Sequence, residues 1–421
     1  MTIEERLKTS KQKLGEKIPC SIEILTPVHI GSGVKLTDGI DFVKDNDSVH
    51  IIPQAVLIKY LEVNPDERDR FISGNYKLNS LKRIPEGRRY NISMGRTSEI
   101  NEFERNGNGK PYIPGSSIKG AIRTVLLKKR FDELDQNKQN ELLKKVTSNR
   151  KEWAAEPIVN ELLGKDSNKN LMRILEVFDA EFENLDLDKI QILSLTNDAG
   201  TSYGWKQLWN KQNITDPNRA SQIFCETLPI GSKSYFSLTL HSFLLNEPAA
   251  ISTLNFNENS LSNIQELVST INKYSKQKLE KEKEFFEKLT SPKKLNTVIN
   301  EIQSLLDKIK KLSNDEFILR ISWGSGWKGM TGDYLDQTWL MNFRRKYQLG
   351  KINFPIFPKT RRIVIEDDEP KYLTGWVKVK LNDTEPVNQK IDTVEKDEKI
   401  DSNNWAALLG QKFNVKETKK K

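Results

Sequence analysis

Apolar residues at Ile118, Ala121, Ile122, Val125 and Leu126 recur at i, i+3, i+4, i+7 and i+8, which is the spacing of one buried helical face. They predict a helix over 117–134. Pro114-Gly115 forces a turn ahead of it, and Ser116 or Ser117 then stands where a hydroxyl caps the first amides. On the opposite face Lys119 and Arg123 sit four apart. Stacked like charges cost about 0.2–0.5 kcal/mol unless an anion lies between them. A phosphate suits the pair, and the N–H donors of the helix start add to it. A solvated amphipathic helix with a small-residue contact at Gly120 and Ala121 accounts for the same pattern.

Elsewhere the period is two. Ile22 and Ile24 alternate with Ser21 and Glu23 and predict a strand over Cys20–Leu25, ending at Thr26-Pro27. The segments 40–43 and 49–52 read as a hairpin joined by 44–48, and 54–61 as a short helix. Strands are expected at 171–178, 190–195 and 223–225, and again after the Pro229-Ile-Gly231 turn, where Tyr235, Ser237 and Thr239 alternate with Phe236, Leu238 and Leu240. Residues 135–165 are charged and helical in pattern. From Leu261 to Leu312 the apolar period returns to the helical one, with a break near Ser291-Pro292, and predicts a helical hairpin suited to docking a partner. A strand at 317–323 and a helix near 334–349 follow.

Two glycine segments sit between these elements. Val28-His29-Ile30-Gly31-Ser32-Gly33 reads as a glycine turn whose amides approach a phosphate or sugar, or as an ordinary strand-end turn. Gly324, Gly326 and Gly329 satisfy G-x-G-x-x-G after a strand. No apolar helix follows at once and no acid stands about twenty residues on, between Asp336 and Glu366, so a dinucleotide site is not expected. Trp327 and Lys328 beside these glycines suit a loop that meets RNA, with an indole stacking on a base; core tryptophans at a tight turn are the plainer explanation.

Composition changes the picture modestly. The 421 residues are 36% hydrophobic and 30% charged, enough for two cores, and the net charge of +9 arises from 67 basic against 58 acidic residues. The excess is local to 316–362, where Arg320, Lys328, Arg344, Arg345, Lys346, Lys351, Lys359, Arg361 and Arg362 outnumber Glu316, Asp333 and Asp336. A loop-rich stretch at 64–109 carries Lys82, Arg83, Arg88, Arg89 and Arg96 and is a candidate finger over RNA or a neighbouring subunit. Cys20 and Cys225 are expected as reduced, buried thiols; no zinc spacing occurs, no cofactor is implied, and no apolar run suggests a membrane span, so a cytoplasmic protein is expected. His29 is the residue to weigh as a general base, although a lone histidine at a Pro turn is more often structural, and the sequence offers His50 and His241 no evident acid or nucleophile to work with in catalysis. Asp38 and Asp41 read as turn residues.

Tyr112-Ile-Pro-Gly-Ser-Ser-Ile-Lys-Gly-Ala-Ile-Arg123 resembles the signature of the RAMP superfamily of CRISPR-associated RNA-binding proteins. Three further stretches resemble the capping subunit of type III-A (Csm-type) CRISPR effectors: Thr26–Gly33 with Asp38–Val43, Cys225–Leu240, and Trp323–Gly332 with Phe357–Arg362 and Leu373–Val377. Together they span roughly 20–380. The resemblance implies an α+β protein of tandem ferredoxin-like (RRM-like) domains with helical insertions: an arm at 1–17, modules at 18–245 and 316–385, a hairpin insertion at 246–315 and a polar basic tail from 386. It implies a non-catalytic subunit that ends the backbone filament, holds the 3′ portion of crRNA near target RNA, and touches the repeated backbone RAMP subunit, other Csm-type subunits and host nucleases. On this reading RNA contacts come from His29, Gly31, Ser32, Gly33, Ser116, Ser117, Lys119, Arg123, Gly324, Gly326, Trp327, Lys328, Lys359, Arg361 and Arg362, with no catalytic or metal residue. The alternatives are a metal-independent endoribonuclease using His29 and a protein scaffold acting through the hairpin.

Overall fold

The first strand, Glu16–Ile24, buries Ile18, Cys20, Ile22 and Ile24 by simple alternation and lies in the middle of a five-stranded antiparallel sheet. In this computed structural model, which describes residues 15–74, 87–254, 261, 263–290, 295–321, 323–331 and 333–385, its neighbours are Lys233–Leu240 on one side and Trp376–Leu381 on the other. Leu175–Val177 and Glu316–Arg320 close the two edges. Most of the expected arm, Lys82 and Arg83, the Ser291-Pro292 break, Gly332 and the tail from 386 lie outside the described residues.

Glu16–Ile24, the helix Gly115–Asp132 and Leu175–Val177 form a strand–helix–strand unit with Lys233–Leu240 inserted between its strands. This is the split β-α-β arrangement of a ferredoxin-like fold, so the α+β architecture is present. The expected stripe of the helix is buried: Ile118, Ile122, Val125 and Leu126 are at most 1% exposed. The expected strand over 171–178 begins instead with a 3-10 turn, Leu171–Ile174, stabilised by Asn170 accepting from the Met172 amide. Helix 135–165 is two helices, Gln136–Lys144 and Glu156–Leu163.

A second, eight-stranded sheet runs in the order Asn213–Ile214, Tyr203–Lys206, Asp186–Leu195, Ile223–Thr227, Glu99–Phe103, Gly31–Thr37, with Thr360–Glu366 paired to Asp186–Leu195 and Glu369–Leu373 beyond it. A small sheet of Phe42–Lys44, Val49–Ile51 and Arg88–Tyr90 contains the expected hairpin. Residues 316–385, expected as a separate module, contribute strands to both large sheets, and the chain up to Thr384 forms one compact unit.

The helical hairpin exists as Ile264–Glu287 and Asn296–Lys310, but its stripes are buried in this chain's own cores. Leu267, Val268 and Ile271 pack with the five-stranded sheet, while Leu279, Phe286, Val298 and Ile302 pack with Trp205, Ile363 and Trp376. An apolar face already covered is not available to dock a partner. The strand predicted over 317–323 ends at Arg320, and the helix predicted over 334–349 is Gln337–Tyr347, capped by Asp336.

Candidate nucleic-acid interface

The second glycine segment folds tightly. Gly324 has φ +97, and a Cβ there would lie 2.2 Å from Thr374 Oγ1, so only glycine fits. Gly326 opens a short helix, Gly326–Thr331, where an open loop was expected. That helix carries Trp327 and Lys328 against the end of the strand Thr360–Glu366 and the helix Ile264–Glu287, and the three elements bound a cleft of about 360 Å³. Gly324, Gly326, Trp327, Lys328, Arg361 and Arg362, singled out in sequence, all line it. Lys206, Lys278 and Arg320 join them, facing a single carboxylate in the lining, Glu282.

The cleft's charge is structured. Arg361 Nε donates to Glu282 Oε2 at 2.5 Å, and its guanidinium lies 3.9 Å from the Phe285 ring centroid. Asp333, in left-handed backbone at φ +53, draws in Lys328 at 3.0 Å, Lys281 at 3.1 Å and Lys278 at 3.8 Å. Burial pushes the Glu282 carboxyl up, but Arg361, Arg320 and Lys278 outweigh it and hold that carboxyl below the usual range. Burial pulls Lys278 down to about 8 against the opposing pull of Asp333 and Glu282, and Arg320 down to about 10. Arg362 has no carboxylate partner among the described residues; it stacks 4.3 Å over Trp323, and its Nε has no hydrogen bond. Two of the three cations proposed here as phosphate ligands, Lys328 and Arg361, are thus already ion-paired.

The other sequence candidates sit elsewhere. His29 is 2% exposed, donates from Nδ1 to the Glu226 carbonyl at 2.7 Å and meets Phe103 and Trp323 edge-on. Burial lowers its pKa. Gly31, Ser32 and Gly33 do not form a free turn: they begin the strand Gly31–Thr37, whose pairing with Glu99–Phe103 is interrupted between Gly31 and Lys35. The interruption sits at Gly33, with φ +87. Ser32 Oγ donates to Glu102 at 3.2 Å.

Ser116 and Ser117 cap nothing. The helix starts at Gly115, ahead of both serines, and the Gly115 amide donates to Asp179 Oδ1 at 2.7 Å. A carboxylate from 64 residues away therefore occupies the helix N-terminus where an anionic ligand was expected. Lys119 is half-buried, its amine pulled down by burial and up by Glu176; Arg123 lies near enough to Tyr334 to act on its hydroxyl. Ala121 and Thr124 are the residues of this helix that reach the cleft. Lys359 donates to the Leu195 carbonyl at 3.3 Å and lies 4.4 Å from the Phe354 ring centroid.

Sequence reading missed Lys278 and Glu282, whose spacing of four on one helix resembles any solvated pair, and Arg320, which ends a strand. It also missed Glu226, a fully buried carboxylate that accepts from Arg88 at 2.7 Å, Tyr90 at 2.8 Å, the Phe103 amide at 3.1 Å and Arg105 at 3.2 Å. This clamp ties the basic 88–105 stretch to the eight-stranded sheet. No described helix is long and apolar enough to cross a membrane.

Known proteins resemble this chain in sequence or in fold. The Streptococcus thermophilus CRISPR system protein Csm5 is 31% identical over 134 aligned residues, covering 25% of this chain and 37% of the relative's length. A chain of a Csm–crRNA–target RNA ternary complex from a type III-A CRISPR-Cas system has a TM-score of 0.62 at 22% identity, covering 86% of this chain and all of that one. The crystal structure of T. onnurineus Csm5 gives 0.52 at 18%, covering 85% of this chain and 99% of that one. At those identities the likeness is one of fold. The RAMP superfamily family model matches residues 21–329, which hold the end of the first strand, the 112–123 signature and Gly324, Gly326 and Gly329 of the cleft. The chain belongs to the RAMP superfamily.

Proposed function

We propose that this chain is a non-catalytic subunit of a type III-A CRISPR ribonucleoprotein, ending the backbone filament, holding the 3′ portion of crRNA near target RNA, and supporting crRNA maturation. The observation that carries the RNA assignment is the cleft itself: Lys206, Lys278, Arg320, Lys328, Arg361 and Arg362 converge from four separate segments of the chain on one concave surface with Trp327 in its wall. Asp333 and Glu282 offset part of the mutual repulsion of these cations, and a phosphate chain relieves the rest. The relatives that suggest the complex are themselves named for Csm assemblies. Its partners on this reading are crRNA, target RNA, the repeated backbone subunit, other Csm-type subunits and host nucleases, in the cytoplasm.

The non-catalytic part of the reading is supported by His29. A buried imidazole whose Nδ1 is engaged by a backbone carbonyl and whose pKa is lowered by desolvation is placed to pack, not to take a proton from an RNA hydroxyl. The test is to purify the tagged chain from its host at moderate salt and sequence the accompanying RNA. Short RNAs sharing a repeat-derived 5′ end with varied downstream sequence are expected. Bulk messenger RNA would reduce the protein to a generic RNA binder, and metal-independent cleavage of repeat RNA abolished by His29→Ala would make it a nuclease.

A further inference from the structure

At the edge of the eight-stranded sheet the strands Tyr203–Lys206 and Asn213–Ile214 form a hairpin whose tip bears Leu208 and Trp209, 47% and 78% exposed. An indole so exposed at a loop tip is disfavoured unless something covers it. The tip is also held firmly. Gln207 donates its amide to the Gln212 carbonyl at 2.9 Å, Leu208 its amide to Ser221 Oγ at 2.8 Å, Asn210 Nδ2 to Gln207 Oε1 at 2.9 Å, and the Gln212 amide returns to Asn210 Oδ1 at 3.0 Å. A platform built this way loses little freedom when it stacks on a flat ligand.

Charge says which ligand. From Ala199 to Thr215 the chain carries Lys206 and Lys211 and no acidic residue. Arg362 pairs with Ile192 across the sheet, and Lys206 follows Trp205, the partner of the next residue, Leu193; the two-residue period therefore puts Lys206 on the face of Ile192 and Arg362. All three line the cleft. Lys359 donates to the Leu195 carbonyl, and Lys351 and Lys206 each lie close enough to it to repel its ammonium; none of the three has an ion-pair partner among the described residues. Unlike Lys328 and Arg361, these cations are not neutralised internally. From Lys206 to Trp209 is three residues, at most about 10 Å of extended chain.

We propose that the Lys206–Trp209 hairpin is an RNA exit platform: a single strand leaving the cleft has its phosphates met by Lys206, Lys351 and Lys359 and an unpaired base stacked on Trp209. The proposal rests on the RNA reading of the cleft and adds a second contact, specific for unpaired nucleobases and indifferent to their sequence. It sets a length threshold: an RNA that fills the cleft without reaching the hairpin gains nothing from Trp209.

The test is fluorescence anisotropy with the full chain and labelled single-stranded RNAs of stepwise increasing length, comparing wild type with Trp209→Ala, Trp209→Phe and Trp209→Leu. Trp209→Ala is expected to bind long oligomers about tenfold more weakly and short ones as wild type does, in line with the loss of one base–aromatic stack. Trp209→Phe is expected to retain most of the affinity and Trp209→Leu to behave as Ala. The site is exposed, so all variants keep the wild-type melting temperature. If wild type binds long RNA and Trp209→Ala binds it equally well, the platform is wrong while the cleft stands; if Trp209→Ala then fails to enter the ribonucleoprotein, the tip is a protein contact. If wild type binds no RNA of any length, the underlying reading falls instead.

Discussion

Lys328 and Arg361 carry their charge into the cleft already matched by Asp333 and Glu282, so an RNA phosphate gains only the difference between its own pull and theirs. Sequence could mark both cations and Asp333, because they fall in one basic window, but not the carboxylate that holds Arg361: Glu282 lies 79 residues from it. The same long reach hid Glu226 behind Arg88 and Arg105. Asp188 makes a separate point at this scale. Its carboxylate accepts from Thr227 Oγ1 at 2.5 Å, and burial, with Asp186 and Glu366 nearby, pushes its pKa up to about 6. A folded-state pKa above the unfolded one means the favourable contribution is present below about pH 4 and lost as pH rises through about 6, leaving an ionised, half-buried carboxylate as a burden at neutrality. Asp188→Asn is therefore expected to raise the unfolding free energy read from urea titrations at pH 8 by on the order of 1 kcal/mol after discounting for solvent access, and to change it little at pH 4. An equal gain at both pH values would contradict the assignment.

At the scale of elements, the 112–123 motif shows what a period reveals and what it hides. Its apolar spacing was enough to place the helix and its buried face, because those depend on neighbours three and four residues away. Its start was not, because the carboxylate that caps it belongs to Asp179. The two glycines of the motif differ in the same way. A Cβ on Gly115 would lie 2.0 Å from the Val177 carbonyl oxygen, whereas one on Gly120 would meet nothing within 4 Å. Gly115→Ala is expected to destabilise the protein by about 1–3 kcal/mol through forced separation of helix and strand. Gly120→Ala is expected to stabilise it by about 0.5–1 kcal/mol through helix propensity. Thermal unfolding of the two single variants checks both, and a shift of the same sign in each would show that the helix docks differently. The Leu261–Leu312 hairpin carries the converse lesson: amphipathic stripes such as Val298 and Ile302 predict helices well, but not whether the covered surface belongs to the same chain or another.

For the whole molecule, the α+β class and its ferredoxin-like order were legible because the strands follow strict alternation. The joining of strands from both ends of the chain in one sheet was not, since Trp376–Leu381 pairs with Glu16–Ile24 across more than 350 residues and alternation carries no address. That closure is what brings the glycine segment, Arg361 and Arg362 onto the helix Ile264–Glu287 and makes a scattered set of cations into one cleft. On the function proposed above, the cleft binds RNA through its phosphates, and salt dependence is the direct test of that contact. RNA affinity would be measured from low to moderate salt for wild type and for Lys328→Ala combined with Arg361→Ala. Each lost phosphate contact lowers the slope of log affinity against log salt by about one, so the double variant is expected to bind more weakly with a slope reduced by about one to two. A folded double variant with unchanged affinity and unchanged slope would contradict the account.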